Sequence, residues 1–193
     1  MKSKIILFAL AMLSIAAPLG GGCGKNPFST RPSEDPLSTG GTYTDPVSAD
    51  IALDNLFYAY NERNLGNFTR GLADNFTFTF DFLNITQPVG TTGWEETEES
   101  RIADNIFRAA DTLILNWSVS QTDIEDDSSA TYYRLYEITV ITGGSPAETT
   151  VYLGESVFYL NVTEAARWVI NRWDDRHRTA EQYSWADLKS RYR

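Results

Sequence analysis

The sequence predicts an α+β domain in which three helices cover one face of an antiparallel sheet. Three observations carry this reading. Apolar residues recur at helical spacing in three segments before residue 112. One segment between them, residues 76–82, alternates strictly. From residue 113 onward the spacing falls to two, in four successive segments joined by short turns. Helices first and a strand meander after is an α+β pattern.

Each element has a local cause. Asp45-Pro46 is a helix-start signal, a capping side chain followed by a residue whose φ is already helical. The run to Asn64 places Leu53, Leu56, Phe57 and Tyr60 on one face. A shorter helix over 65–73 groups Leu65, Phe68 and Leu72, and Asp74-Asn75 ends it. In Phe76-Thr77-Phe78-Thr79-Phe80-Asp81-Phe82 the phenylalanines line one side of a strand, with Thr77, Thr79 and Asp81 on the other. A loop with Pro88, Gly90 and Gly93 leads to Trp94. Glu95 to Asp111 reads as the third helix. Its acidic opening suits the positive end of the helix dipole, and Ile102, Ala103, Ile106, Phe107 and Ala110 form its buried stripe. Leu113, Leu115, Trp117 and Val119 alternate; residues 130–142, 149–162 and 167–175 complete the meander. Ser184 caps a short C-terminal helix on which Trp185, Leu188 and Tyr192 share a face.

The chain before this domain has a different character. Lys2 and Lys4 precede an apolar run from Ile5 to Ala17, then Pro18, Leu19 and three glycines. That is the charged, apolar, small-residue order of an export signal, and it is too short to span a bilayer comfortably. Cys23 is the single cysteine, so it has no internal disulfide partner. The segment Leu19-Gly20-Gly21-Gly22-Cys23 resembles a bacterial lipobox, with its leucine one place early. The resemblance implies removal of residues 1–22, a lipid on Cys23 and a membrane anchor in the bacterial cell envelope. Gly24 is not the aspartate that retains lipoproteins in the inner membrane, so the outer membrane is the expected destination where one exists. Residues 23–46 are rich in Pro, Ser, Thr and Gly and read as a flexible tether. A coil of that length spans roughly 25 Å.

Removing residues 1–22 takes away Lys2 and Lys4 and moves the formal charge from −10 to −12. Such a surface argues against nucleic acid as a partner, which needs basic patches. Folding proceeds without disulfides, so the hydrophobic core must suffice, and a domain over 47–177 is long enough to build one. Aromatic residues make up 13% of the chain, which fits an aromatic interior rather than a disordered segment.

Two stretches resemble the nuclear transport factor 2-like superfamily, which includes ketosteroid isomerases and SnoaL-like cyclases. Tyr60-Asn61-Glu62-Arg63-Asn64-Leu65, Phe68 and Leu72-Ala73-Asp74-Asn75-Phe76 are similar to its passage from the first helix into the first strand. Trp168-Val169-Ile170-Asn171-Arg172-Trp173-Asp174 is similar to its last strand. The resemblance implies a cone of three N-terminal helices packed on a curved antiparallel sheet over residues 47–177, with 178–193 as a tail. It does not imply a function, because the fold hosts many. The isomerase branch keeps a base on the first strand and a tyrosine on the first helix; the matching places here hold Phe80 and Leu56, neither of which moves a proton. The SnoaL branch uses a histidine and an aspartate from later strands. The single histidine, His177, follows the last strand in a polar run.

No catalytic residue, cofactor or metal ligand is therefore assigned. The acidic turn Asp123-Ile124-Glu125-Asp126-Asp127 lacks the alternating ligands and central glycine of an EF-hand loop and reads as a hairpin turn. Asn67, Asn75, Asn84, Asn116 and Asn161 begin Asn-x-Ser/Thr triplets and read, beside a bacterial signal, as turn and strand residues. The expected role is a non-catalytic binding or interaction domain. Its cone, lined by Tyr60, Phe78, Phe80, Trp94, Phe107, Trp117 and Trp173, either holds a small apolar or aromatic ligand or is filled core. Two alternatives stand beside it. One is an isomerase or dehydratase using Tyr58, Tyr133 or Asp174. The other is an assembly module that forms a homodimer through its sheet.

Metabolic labelling with a radioactive fatty acid checks the anchor. Wild type is expected to label and Cys23→Ser is not; equal labelling of both would contradict a lipid on Cys23.

Overall fold

Strict alternation from Phe76 to Phe80 builds the strand on which the interior rests. Phe76, Phe78 and Phe80 are buried on one side, while Thr77 and Thr79 face the other. A computed structural model describes residues 40–81 and 93–193. Cys23, the expected export signal, most of the expected tether, Phe82, Asn84, Pro88 and Gly90 lie outside the described residues. All the described residues belong to one unit, residues 35–193.

The elements in order are α1 (Ala49–Asn61), α2 (Leu65–Arg70), β1 (Leu72–Phe80), β2 (Gly93–Glu95), α3 (Glu96–Ala109), β3 (Ala110–Val119), β4 (Ile124–Glu125), β5 (Ser129–Thr142), β6 (Glu148–Val162), β7 (Trp168–His177) and α4 (Trp185–Arg191). The strands form one seven-stranded sheet in the order β2-β1-β7-β6-β5-β3, with β4 beside β5. Helices α1, α2 and α3 cover one face of the curved sheet, and the core lies between. The predicted α+β cone is the observed architecture. One pair departs from the antiparallel pattern: β1 runs parallel to β7. The chain reaches β7 only after crossing the whole meander, and it arrives beside β1 from the same end.

Several boundaries differ from the sequence reading; among them, Ala110 and Asp111 belong to β3 rather than to α3. Helix α1 begins after Ser48, not at Asp45-Pro46. The Pro46 carbonyl instead accepts from Trp168 N (2.8 Å), and Asp45 pairs with Arg167, so this pair fastens the chain to the start of β7. Helix α2 stops at Arg70, and Leu72 already belongs to β1. Gly71 N closes the helix on Phe68 O, while Gly71 O accepts from Ile170 N, which draws the next residue into the sheet. Asp74-Asn75 therefore lies within a strand rather than ending a helix.

The acidic segment forms a hairpin connection. Asp123 pairs with Arg134, and Asp126 accepts from the backbone and hydroxyls of Ser128 and Ser129. The tail does more than rest on the surface. Ser184 and Asp187 form a capping box at the start of α4, and Trp185, Leu188 and Lys189 are fully buried.

Candidate functional site

The seven aromatic residues expected to line the cone do meet. Tyr60, Phe78 and Trp173 are fully buried, and Phe80, Trp94 and Phe107 nearly so. Trp94 stacks on Phe78 at 4.7 Å, Phe78 meets Trp173 edge-on at 5.4 Å, and Tyr60 meets Phe107 edge-on at 5.2 Å. Trp117 is only partly buried and joins through Phe158, which touches Trp173. These are the offset and edge-to-face geometries that aromatic rings prefer.

Helix α4 supplies the middle of this cluster. The Trp185 ring lies 4.4 Å from that of Trp173 and 4.7 Å from that of Tyr60, perpendicular to both. Its indole N–H donates to the Tyr60 hydroxyl (2.9 Å). One helical turn on, Lys189 Nζ sits 3.4 Å from the Trp173 ring centroid and 3.5 Å from that of Phe78. Its counter-charge is Glu99 of α3, with Nζ 2.7 Å from Oε1, and neither side chain reaches solvent. The contact pairs two opposite charges within the interior. The other Glu99 oxygen accepts from the Trp94 indole (2.6 Å). Burial pulls the Lys189 pKa down to about 8, against the opposing pull of Glu99.

The N-terminus of α4 is capped from inside the cone. Tyr136 Oη accepts from Trp185 N (2.6 Å) and donates to Asp175 Oδ1 (2.7 Å). Asp175 Oδ2 accepts from Ala186 N (2.7 Å), while Ser184 serves Asp187 N and Leu188 N. The first-turn N–H groups of α4 are thus all satisfied. Burial raises the Asp175 pKa despite these donors, and burial likewise lifts Tyr60 and Tyr136 well above the usual phenol range. Gly154 makes the arrangement possible: a Cβ there would overlap the Tyr136 hydroxyl.

A second cluster fastens α4 at the rim. His177, at the end of β7, has Nδ1 against Asp81 and Nε2 2.9 Å from Asp187 Oδ2. Asp187 also accepts from Ser184 N (2.6 Å). Burial works against a charged imidazole here, but the hydrogen bonds to Asp81 and Asp187 prevail and the His177 pKa is raised. Only the imidazolium donates from both nitrogens.

The residues considered for acid–base work do not converge. Tyr58 is exposed on α1. Asp174 is on the sheet face turned away from the helices, held by Arg172 in two 2.7 Å hydrogen bonds and by the Thr79 hydroxyl. Tyr133 shares that face, two strands away, opposite Val157, which in turn opposes Asp174. Phe80 and Leu56, at the resemblance's base and tyrosine positions, are buried core. Among the described residues, no group of three or more His, Cys, Asp or Glu side chains is placed to hold a metal ion. Sequence reasoning missed Glu99, Tyr136, Asp175 and Lys189. One signal was present: Lys189 is four residues after Trp185, on the face already assigned to packing.

The raised His177 pKa has a stability consequence of definite sign. The folded state holds a proton that the unfolded state gives up near pH 6.5. The stabilisation is complete below that pH and is lost as pH rises through the folded value. Lys189 acts with opposite sign and only above about pH 8, where its lowered pKa makes unfolding take up a proton. Thermal melting between pH 6 and 8 is therefore expected to show wild-type stability falling as pH rises. His177→Gln is expected to be less stable at pH 6 and nearly flat across the same range. Equal slopes for the two proteins would contradict the clamp.

No protein-family model matches the sequence, and no curated protein matches it. Solved structures do. A conserved protein from Planctomyces limnophilus has a TM-score of 0.55 at 10% identity, over 65% of this chain and 89% of its own. A ketosteroid isomerase-like protein from Erwinia carotovora atroseptica has a TM-score of 0.52 at 11% identity, over 67% and 93%. A cystatin-like domain from Nostoc punctiforme has a TM-score of 0.50 at 11% identity, over 66% and 74%. At such identities the likeness is one of fold alone: this chain shares the α+β cone of these structures.

Proposed function

We propose that this chain is a lipid-anchored, envelope-tethered binding or interaction domain that performs no chemistry in its cone. One observation carries the reading: Trp185 and Lys189 of the chain's own C-terminal helix occupy the space between Tyr60, Phe78 and Trp173. A substrate would have to displace a capped helix together with a buried ion pair. The lipid on Cys23 and the tether hold the domain at the membrane surface, and its contacts are made from outside the cone.

A specific observation favours a second copy as partner. Ile114, Thr139 and Val151 are directly opposed across β3, β5 and β6, so they point to one side. That side faces away from the helices, and Ile114 and Val151 are each 43% exposed. Leu135, Leu153 and Ile141, partly buried, extend the same face. An apolar row on an open sheet face is a pairing surface.

Sedimentation velocity at micromolar concentration tests this. Wild type is expected to sediment as a dimer, and Ile114→Lys with Val151→Glu as a folded monomer. A wild type that stays monomeric across the range would contradict pairing through the sheet.

A further inference from the structure

The parallel pair β1–β7 has a fault. Leu72 opposes Ile170 and Thr77 opposes Arg172, so residues 73–76 of β1 stand against Asn171 alone. On its other side, β7 is also irregular: Leu160 opposes Ile170 and Tyr159 opposes Arg172. Asn171 is thus skipped by the register of both neighbouring strands. The bulging strands part over it and leave a cleft of about 390 Å³, open to solvent on one side. Bulges of this kind re-aim side chains, often beside functional sites.

Three asparagines give the cleft its polar character. Asn171 contributes an Oδ1 that is buried and has no hydrogen-bond partner. Asn75, Asn161 and Thr163 surround it, with Asp74 among the lining groups. Val169, which opposes Asn161, supplies an apolar wall. No lysine or arginine lines the cleft, and the chain is strongly acidic, so an anion would find no counter-charge. Carboxamides both donate and accept, as hydroxyls do. A buried acceptor without a partner favours a ligand that brings a donor to it.

We infer that this cleft is a binding site for a neutral polyhydroxylated molecule of about one sugar ring. A ring hydroxyl donates to Asn171 Oδ1, its neighbours exchange hydrogen bonds with Asn75 and Asn161, and the C–H face of the ring lies on Val169. The volume falls in the usual range for small-molecule sites, about 300–1,000 Å³. The site lies outside the cone and away from the Ile114–Val151 row. Its failure would therefore leave the proposed interaction role standing, and a monomeric protein would leave this site standing.

The test is a titration of the purified full chain with methyl glucoside, methyl galactoside and methyl mannoside, followed through the side-chain amide NMR signals of Asn75, Asn161 and Asn171. At least one hexoside is expected to shift these signals saturably. Asn171→Leu is expected to weaken binding by about tenfold or more, the scale of a lost buried hydrogen bond, and Asn161→Ala to weaken it by a smaller, measurable factor. Asn161 is exposed, so its variant keeps the test valid if Asn171→Leu fails to fold. The inference is overturned by the absence of saturable shifts with all three hexosides, or by an affinity that Asn161→Ala leaves unchanged. It is also overturned if ethylammonium binds in their place and Asp74→Asn abolishes that binding.

Discussion

Lys189 carries an ammonium group into the aromatic interior, and Glu99 is the charge that lets it stay there. An unpaired charge in such surroundings costs several kcal/mol, so the two residues must be placed together or not at all. Glu99 is fixed by the position of α3 and by the Trp94 indole. Lys189 is fixed by the register of α4, which the capping box sets. From this one requirement the rest follows. Trp185, a turn earlier, must enter between Trp173 and Tyr60. Its backbone N–H then needs Tyr136, Tyr136 needs a glycine at 154, and Ala186 N needs a carboxylate at 175. Cone and tail are a single packing problem, although a turn separates α4 from the last strand of the cone.

Elements were legible where burial follows a period. Phe76 to Phe80, the α3 stripe and the meander were all readable because apolar residues mark them, and the Trp185-Leu188-Tyr192 face marked α4. What stayed hidden depended on partners distant in the chain. Glu99 sits in an acidic run that suits a helix N-terminus, and nothing local distinguishes it from the exposed Glu95 and the less buried Glu98. Its burial depends on a lysine ninety positions away. Asp175 looks like its neighbour Asp174, yet the pleat sends one into the core and the other to the far face. The parallel pairing of β1 with β7 and the double fault at Asn171 are matters of register, which hydrophobic pattern specifies only where one face is cleanly buried.

The candidate lining residues were chosen for being aromatic, and they do form one cluster. The sequence left open whether such a cluster is a pocket or a core, and that depended on where residues 178–193 went. With α4 inside, the polar groups of the interior are engaged with one another: Asp175 with Tyr136, Tyr60 with Trp185, Glu99 with Trp94 and Lys189. Groups available to a partner or ligand then lie elsewhere, on the apolar row of the open sheet face and in the amide-lined cleft. Fold likeness adds no function to this, since the same cone serves unrelated ends.

One buried charge pair holds the C-terminal helix inside the cone, and a double-mutant cycle in denaturant measures it directly. Lys189→Met alone strands the Glu99 carboxylate and is expected to cost about 3–5 kcal/mol of unfolding free energy. Adding Glu99→Gln, which keeps an acceptor for Trp94, is expected to restore most of that loss and to give a coupling energy within the usual range of about 0.5–3 kcal/mol or above it. Two single variants that each cost less than about 0.5 kcal/mol and simply add would contradict the account, because that is how independent surface sites behave.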